Sequence, residues 1–366
     1  MVDKQTGHES LGIRRDVPTR PFSWWLACKD GGIIMTAHEL NRRFSALMPF
    51  VVPLAIVVAV LFPGQLGGLL PAIAPVFFVI VFAGSSTLRA RSIAETLRHP
   101  LPLLLILGIL HVVMPVVAWA VARLGFAGSP DIAAGMVLEF LVPTASAGFA
   151  WIAICGGDLT LGLVAVFVDA VLTPVLLPFG VEFLTGAHVS VDSVELMRSM
   201  VVMVLAPSVL AVVFNEATGG RVSGRLIPWL QMVVKFGIVV VILASSTRIA
   251  PIVRTLDPML LVITGVMFLI SLTGYGFGWL AARLTGQGRA VTVAMIYGSG
   301  MRNINAGAVI AAAFFPAATM FPVIISTLFQ QVTAALISLA IQRRLSETKP
   351  GQRLRNRGRS SSPTRL

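Results

Sequence analysis

The segment Val291–Phe315, VTVAMIYGSGMRNINAGAVIAAAFF, is apolar along most of its length. Its middle nevertheless carries Gly298, Ser299, Gly300, Arg302, Asn303 and Asn305. A run of this length can cross roughly 30 Å of hydrocarbon. Lipid offers no partner for an unwound backbone or a guanidinium, so the cluster must face protein or a water-filled cavity. Transporters place their substrate sites at such interruptions near mid-membrane.

The rest of the chain agrees with a membrane solvent. Of its residues 56% are hydrophobic and only 12% charged, with a mean hydropathy of +0.88; soluble domains carry about 25% charged residues. The class is therefore all-α integral membrane. Cys28 and Cys155 stand far apart, with neither metal-ligand spacing nor a disulfide framework. A net charge of +12 would suggest nucleic acid in a soluble protein. Here the cations fall in short loops and tails, where membrane orientation accounts for them and no nucleic acid is implied. No HExxH, GxSxG, phosphate-cradling loop or His/Cys cluster is present, so no catalytic residue, metal site or cofactor is expected.

Apolar runs predict ten transmembrane helices. They lie at about Ser45–Phe62, Leu69–Thr87, Leu101–Leu124, Ile132–Cys155 and Leu159–Leu184, then Val194–Phe214, Trp229–Thr247, Pro258–Ala282, Ala290–Phe315 and Ala318–Ile341. Pro63–Pro71 and Phe315–Pro316 read as tight turns between neighbours. With ten spans both tails and the even-numbered loops share one side. That side gathers twenty-two of the twenty-eight Lys and Arg residues, and the opposite side holds only Arg123, Arg198, Arg248 and Arg254. The positive-inside rule then places both termini in the cytoplasm, in a multi-pass protein of the bacterial inner (plasma) membrane. The two remaining cations lie within spans. Lys235 can snorkel towards the cytoplasmic end, but Arg302 can reach neither interface.

Residues 1–44 form a polar cytoplasmic extension, with Met35 as an alternative start of translation, and residues 343–366 a basic tail expected to be disordered. Between them the spans divide at the polar loop Thr185–Ser193 into two five-helix repeats, 45–185 and 194–342. Five spans per half gives the halves opposite orientation, the arithmetic of an inverted 5+5 repeat. The fourth span of each half is interrupted. The first break holds Pro143, Thr144, Ser146 and Gly148, and the second holds Gly298, Gly300, Arg302, Asn303 and Asn305. Aligning Gly148 with Gly307 sets Thr144 opposite Asn303 and Ser146 opposite Asn305. Broken, crossing helices 4 and 9 would expose amide donors at one new end and carbonyl acceptors at the other. Thr144, Ser146, Arg302, Asn303 and Asn305 are the expected substrate-binding residues, with Pro143, Gly148, Gly298 and Gly300 making the breaks.

Other polar residues in the spans have two readings each. Glu139 and Asp169 are either proton-coupling carboxylates or counter-ions for Arg302, or buried groups bonded to freed backbone. His111 reads as an interhelical donor or a proton relay, Asp158 as an N-cap, and Gln330 and Gln331 as cavity-lining or interhelical groups.

The ten-span pattern, Pro143-x-x-x-x-Gly148 with GGDLTL at Gly156–Leu161, and GMRN-x-x-x-G at Gly300–Gly307 resemble the bile acid:sodium symporter family over about Phe44–Arg344. The resemblance implies a panel domain of spans 1, 2, 6 and 7 and a core domain of spans 3–5 and 8–10. It also implies alternating access between them and transport of organic anions such as bile acids, pyruvate and other carboxylates, usually with sodium. The chain departs from that pattern where it matters most. The family's E-x-G-M-Q-N-S reads Gly298-Ser299-Gly300-Met301-Arg302-Asn303-Ile304, and its Ser-Asn pair aligns with Gly148-Phe149. Gly298 replaces the acid and Arg302 the amide that help to hold sodium. A fixed guanidinium would repel sodium and could pair with an anionic substrate instead.

The expectation is a secondary transporter of small organic anions, embedded in the lipid bilayer, with Na+ or H+ as a possible coupling ion and a degenerate sodium site. The alternatives are a channel-like or sensory ligand-binding membrane protein, and an arsenite-type efflux carrier using Cys155.

Overall fold

The computed structural model describes residues 37–145, 147–186, 192–255 and 257–347. Their regular elements are all helical. They are α1 (Ala37–Leu61), α2 (Pro63–Ser85), α3 (Ala90–Leu97), α4 (Leu101–Gly125), α5 (Pro130–Leu141), α6 (Gly148–Ile154) and α7 (Leu159–Thr185). There follow α8 (Ser193–Ala217), α9 (Arg221–Val253), α10 (Pro258–Leu284), α11 (Arg289–Gly300), α12 (Ile304–Phe314) and α13 (Ala317–Glu347).

Seven of these helices are long and apolar enough to cross a membrane: α2, α4, α7, α8, α10 and stretches of α9 and α13. The other three predicted spans take a different form. The first lies within α1, whose apolar stretch Phe50–Leu61 is shorter. The fourth and ninth are each divided into two short helices, α5 with α6 and α11 with α12.

Starts and stops follow local chemistry. Asp158 caps α7 through Leu161 N–H at 3.0 Å, Asp192 caps α8 through Val194 and Glu195 N–H, and Asp257 caps α10 through Met259 N–H at 2.8 Å. Pro130 and Pro258 open their helices, where a missing N–H removes no intrahelical bond. Within α4 and α8 a π-helical turn, Ile109–Val113 and Val201–Leu205, precedes Pro115 and Pro207. A proline ring crowds the carbonyl four residues before it, and the widened turn relieves that clash.

Three expectations about element ends are corrected. Pro63–Pro71 is no turn, because α2 is helical from Pro63, passing through a 3-10 stretch at Gly67–Ala72. Pro63 suits the first helical position, and Pro71 lacks the N–H for an α-type bond there. Helix α1 begins at Ala37, ahead of the expected Ser45. Helix α13 runs on to Glu347, so residues 343–347 of the expected tail are helical; Arg and Leu sustain helix well after the apolar run has ended.

Packing runs through the whole bundle. Helix α9 lies against α1 and α2 and also against α12 and α13, and α8 against both α2 and α7. Further along, α10 packs on α11, α5 on α4, α7 and α13, and α12 on α13. Gly274 and Gly278 stand four apart on α10, and side chains there would collide with backbone of Ser299 and Met295 on α11. Small residues at that spacing let two backbones touch, which is how membrane helices gain contact. Two arginines satisfy carbonyls at helix ends: Arg248 donates to Ala312 O at the end of α12, and Arg254 to Leu61 O at the end of α1.

Candidate functional site

The two interrupted segments meet. Thr144 and Arg302 form an isolated antiparallel bridge, with Asn303 N–H donating to Pro143 O at 2.7 Å and Ala145 N–H to Met301 O at 3.2 Å. Each break therefore supplies the partners that the other's unwound backbone has lost, as a low-dielectric interior demands. The Thr144 hydroxyl is shared between Gly298 O at 2.9 Å and Met301 O at 3.0 Å, the last carbonyls before the second break. Asn303 caps α12 through Ala306 N–H at 3.2 Å.

The breaks are unequal in length. The half-helices before them end at Leu141 and Gly300, and those after them begin at Gly148 and Ile304. The preceding ends agree with the alignment of Gly148 and Gly307. The restarts do not, because the first break holds three more residues. Gly298 and Gly300, expected as break-makers, lie inside the last turn of α11 instead. At Gly300 the reason is closeness, because a methyl would overlap the Tyr275 ring; one on Gly298 would only make ordinary contact with Ile106. Pro143 lies in the first break, and Gly148 opens α6 against the Met301 sulfur.

A cavity of about 120 Å³ opens at the crossing. Pro143, Thr144, Arg302, Asn303 and Asn305 line one wall, joined by Gln330 and Gln331 of α13, and apolar residues of α1, α2, α8 and α9 line the other. Ser85 and Ser208, 3.4 Å apart, are the polar pair on that second wall. Ser146 falls outside the described residues.

Arg302 is 3% exposed. Its guanidinium stands 5.7 Å from the centre of the Phe140 ring, within cation–π range. None of its three nitrogens has a hydrogen-bond partner among the described residues. It also borders a second space of about 10 Å³, room for about one water, lined by Glu139, Ser271, Tyr275, Ser326 and Thr333. Glu139 Oε2, the Tyr275 hydroxyl and the Thr333 hydroxyl are likewise unpartnered there.

The expected ion pair between Arg302 and a carboxylate is not made. Among the described residues neither Glu139 nor Asp169 reaches ion-pair distance of Arg302. Asp169 is fully buried and engaged elsewhere: it accepts from Thr144 N–H and from the Thr173 hydroxyl at 3.1 Å, and meets His111 Nε2 at 2.7 Å. The helix stop at Leu141 frees the Thr144 amide, and Asp169 is the acceptor beneath it. Cys155 is buried at the far end of α6, against Ser338 and Tyr297, and is not among the described residues that line either space.

Tyr275 and the glycines beside it escaped the sequence reading, although Gly274-Tyr275-Gly276-Phe277-Gly278 carries a visible small-x-x-x-small signal. Ser85 and Ser208 carried none, since single serines in spans are common.

The profile of the Sodium Bile acid symporter family matches residues 74–253. An uncharacterized protein, YbaS of Bacillus subtilis (strain 168), is 36% identical over 303 residues, covering 83% of this chain and 98% of the relative. The uncharacterized sodium-dependent transporter YocS of the same organism is 23% identical over 280 residues, covering 76% and 85%. The chain is a multi-pass membrane transporter and belongs to the sodium/bile acid symporter family.

Proposed function

We propose that this protein is a secondary transporter of small organic anions, working by alternating access across the plasma (bacterial inner) membrane. Arg302 is its anion-binding residue. The observation that carries the reading is a buried guanidinium at the crossing of two broken helices, bordering a cavity, with no nitrogen hydrogen-bonded among the described residues. A guanidinium at mid-membrane costs at least about 2.5–3.5 kcal/mol on insertion scales. A carboxylate in the cavity would supply the missing acceptors in the two-pronged geometry that guanidinium favours. Thr144, Asn303 and Asn305 complete that wall, and Ser146 lies in the same break. Glu139 borders the small space behind Arg302.

A cavity of about 120 Å³ favours a carboxylate of a few heavy atoms over a sterol-sized anion. In this reading the ten predicted spans form two inverted halves with both ends in the cytoplasm, and the panel of spans 1, 2, 6 and 7 moves against the core of spans 3–5 and 8–10 around the cavity. Sodium is not required in the usual way, because Gly298, Arg302 and Phe149 replace side chains with which the family holds it.

The test is uptake into proteoliposomes of pyruvate and of taurocholate, with sodium, with choline, and with a pH gradient. Saturable pyruvate uptake that survives replacement of sodium by choline supports the reading. A steep sodium dependence lost in choline would overturn the sodium claim, and failure to move any carboxylate would overturn the transport claim.

A further inference from the structure

We infer that His111 and Asp169 form a proton-binding site coupled to the crossing, making the proton the co-transported ion. The inference rests on the anion reading of Arg302 and adds what neutralises the incoming charge. Asp169 is buried at 0% exposure, and its carboxylate accepts from the Thr144 amide inside the first break. His111 Nε2 lies 2.7 Å from Asp169 Oδ1. A carboxylate only accepts, so Nε2 carries the hydrogen, and the basic lone pair of the neutral ring is on Nδ1. That atom is buried and has no partner among the described residues. The imidazole side chain is 7% exposed and rides on the π-helical turn that Pro115 imposes. A chain of direct contacts thus runs from His111 Nδ1 through Asp169 to Thr144, which lines the anion cavity and bridges Arg302.

The surrounding charges narrow the choice. Arg302 is tied to Asp169 through Thr144, whose backbone bridges Arg302 and whose amide donates to the Asp169 carboxylate. Glu139 on α5 and Tyr275 on α10 border the far side of Arg302, and Tyr297 on α11 donates to Ala334 O. On α7 itself Asp158 is the N-cap and Glu182 accepts from Ser193. Arg91 pairs with Glu95 on α3, while Arg123, Asp131, Glu195, Arg198, Arg283 and Arg289 stand at helix ends. At the crossing, Arg302 and Asp169 cancel when the cavity is empty. A bound monocarboxylate adds one negative charge, and a proton on Nδ1 removes it; Glu139 enters both counts alike. An uncompensated charge is expensive inside a membrane, so anion and proton move together.

The experiment has two arms. In the first, the purified protein without any anion is titrated in lipid nanodiscs between pH 5 and 9 and followed by infrared difference spectroscopy, with His111→Gln as the reference. The Gln amide can still donate to Asp169, and an unchanged melting temperature shows that the variant is folded. The expected result is an imidazole band that titrates in the parent and is missing in the variant. No such difference, with both proteins folded, overturns the proton site whether or not any carboxylate is a substrate. In the second arm, pyruvate accumulation in proteoliposomes at zero membrane potential should rise about tenfold per pH unit of inward gradient. His111→Gln should lose that response. A variant that keeps it overturns the coupling. A parent that moves no carboxylate while His111 still titrates sinks the anion reading and leaves the proton site standing.

Discussion

The two breaks look alike in sequence and differ in what they leave unsatisfied. At the first, Thr144 has its amide on Asp169 and its hydroxyl on carbonyls of the second segment, and Pro143 O takes the Asn303 amide. At the second, the backbone is equally well paired, yet among the described residues none of the three Arg302 side-chain nitrogens has a partner. Buried polar groups are almost always hydrogen-bonded in folded proteins. The paired groups hold the crossing together, and the unpaired guanidinium is where we propose that the anion binds.

If that contrast is right, substitutions at the first break should act mainly on stability. Asp169→Ala should have the largest effect, because it strips the acceptor from the Thr144 amide and from His111, at about 1–3 kcal/mol for each buried donor left unsatisfied. A loss of melting temperature greater than for any variant below checks it; a melt like the parent's would break the comparison. Gly300→Ala should follow, at about 1–3 kcal/mol, because the methyl overlaps the Tyr275 ring. Shrinking the ring in the same chain, with Tyr275→Leu, should recover part of the loss in thermal melts.

Thr144→Val should cost about 1 kcal/mol through its shared hydroxyl bond, and Thr144→Ser should restore the parent's melt. If Val is harmless, the first break is not held by that hydroxyl. Asn303→Ala should be the mildest, at about 0.5–2 kcal/mol for a lost N-cap, with Asn303→Asp tolerated as a cap. Urea or thermal unfolding in one detergent ranks all four on one scale.

Much of this arrangement was legible in the sequence, for identifiable reasons. A polar cluster inside an apolar run has few explanations in lipid, so Arg302, Thr144, Asn303 and Asn305 were marked before any geometry was known, and they line one cavity. What failed was finer. Gly298 and Gly300 read as break-makers because glycine often interrupts helices, whereas the close approach of Gly300 to the Tyr275 ring is a tertiary fact that the local sequence does not carry. Asp169 and His111 lie 58 residues apart. Each alone had a bland reading, and only the fold pairs them. Likewise the extra three residues of the first break depend on where α6 restarts, which neither Gly148 nor Pro143 fixes by itself.

The central claim is that Arg302 takes an organic anion. The most direct measurement is pyruvate binding to the purified protein in choline buffer, by titration calorimetry, for the parent, Arg302→Lys and Arg302→Gln. The account predicts weaker binding for Lys, which keeps the charge but loses the fork. It predicts no detectable binding for Gln, which should fold at least as well as the parent because an unpaired buried charge is gone. Gln binding pyruvate as tightly as the parent would contradict it.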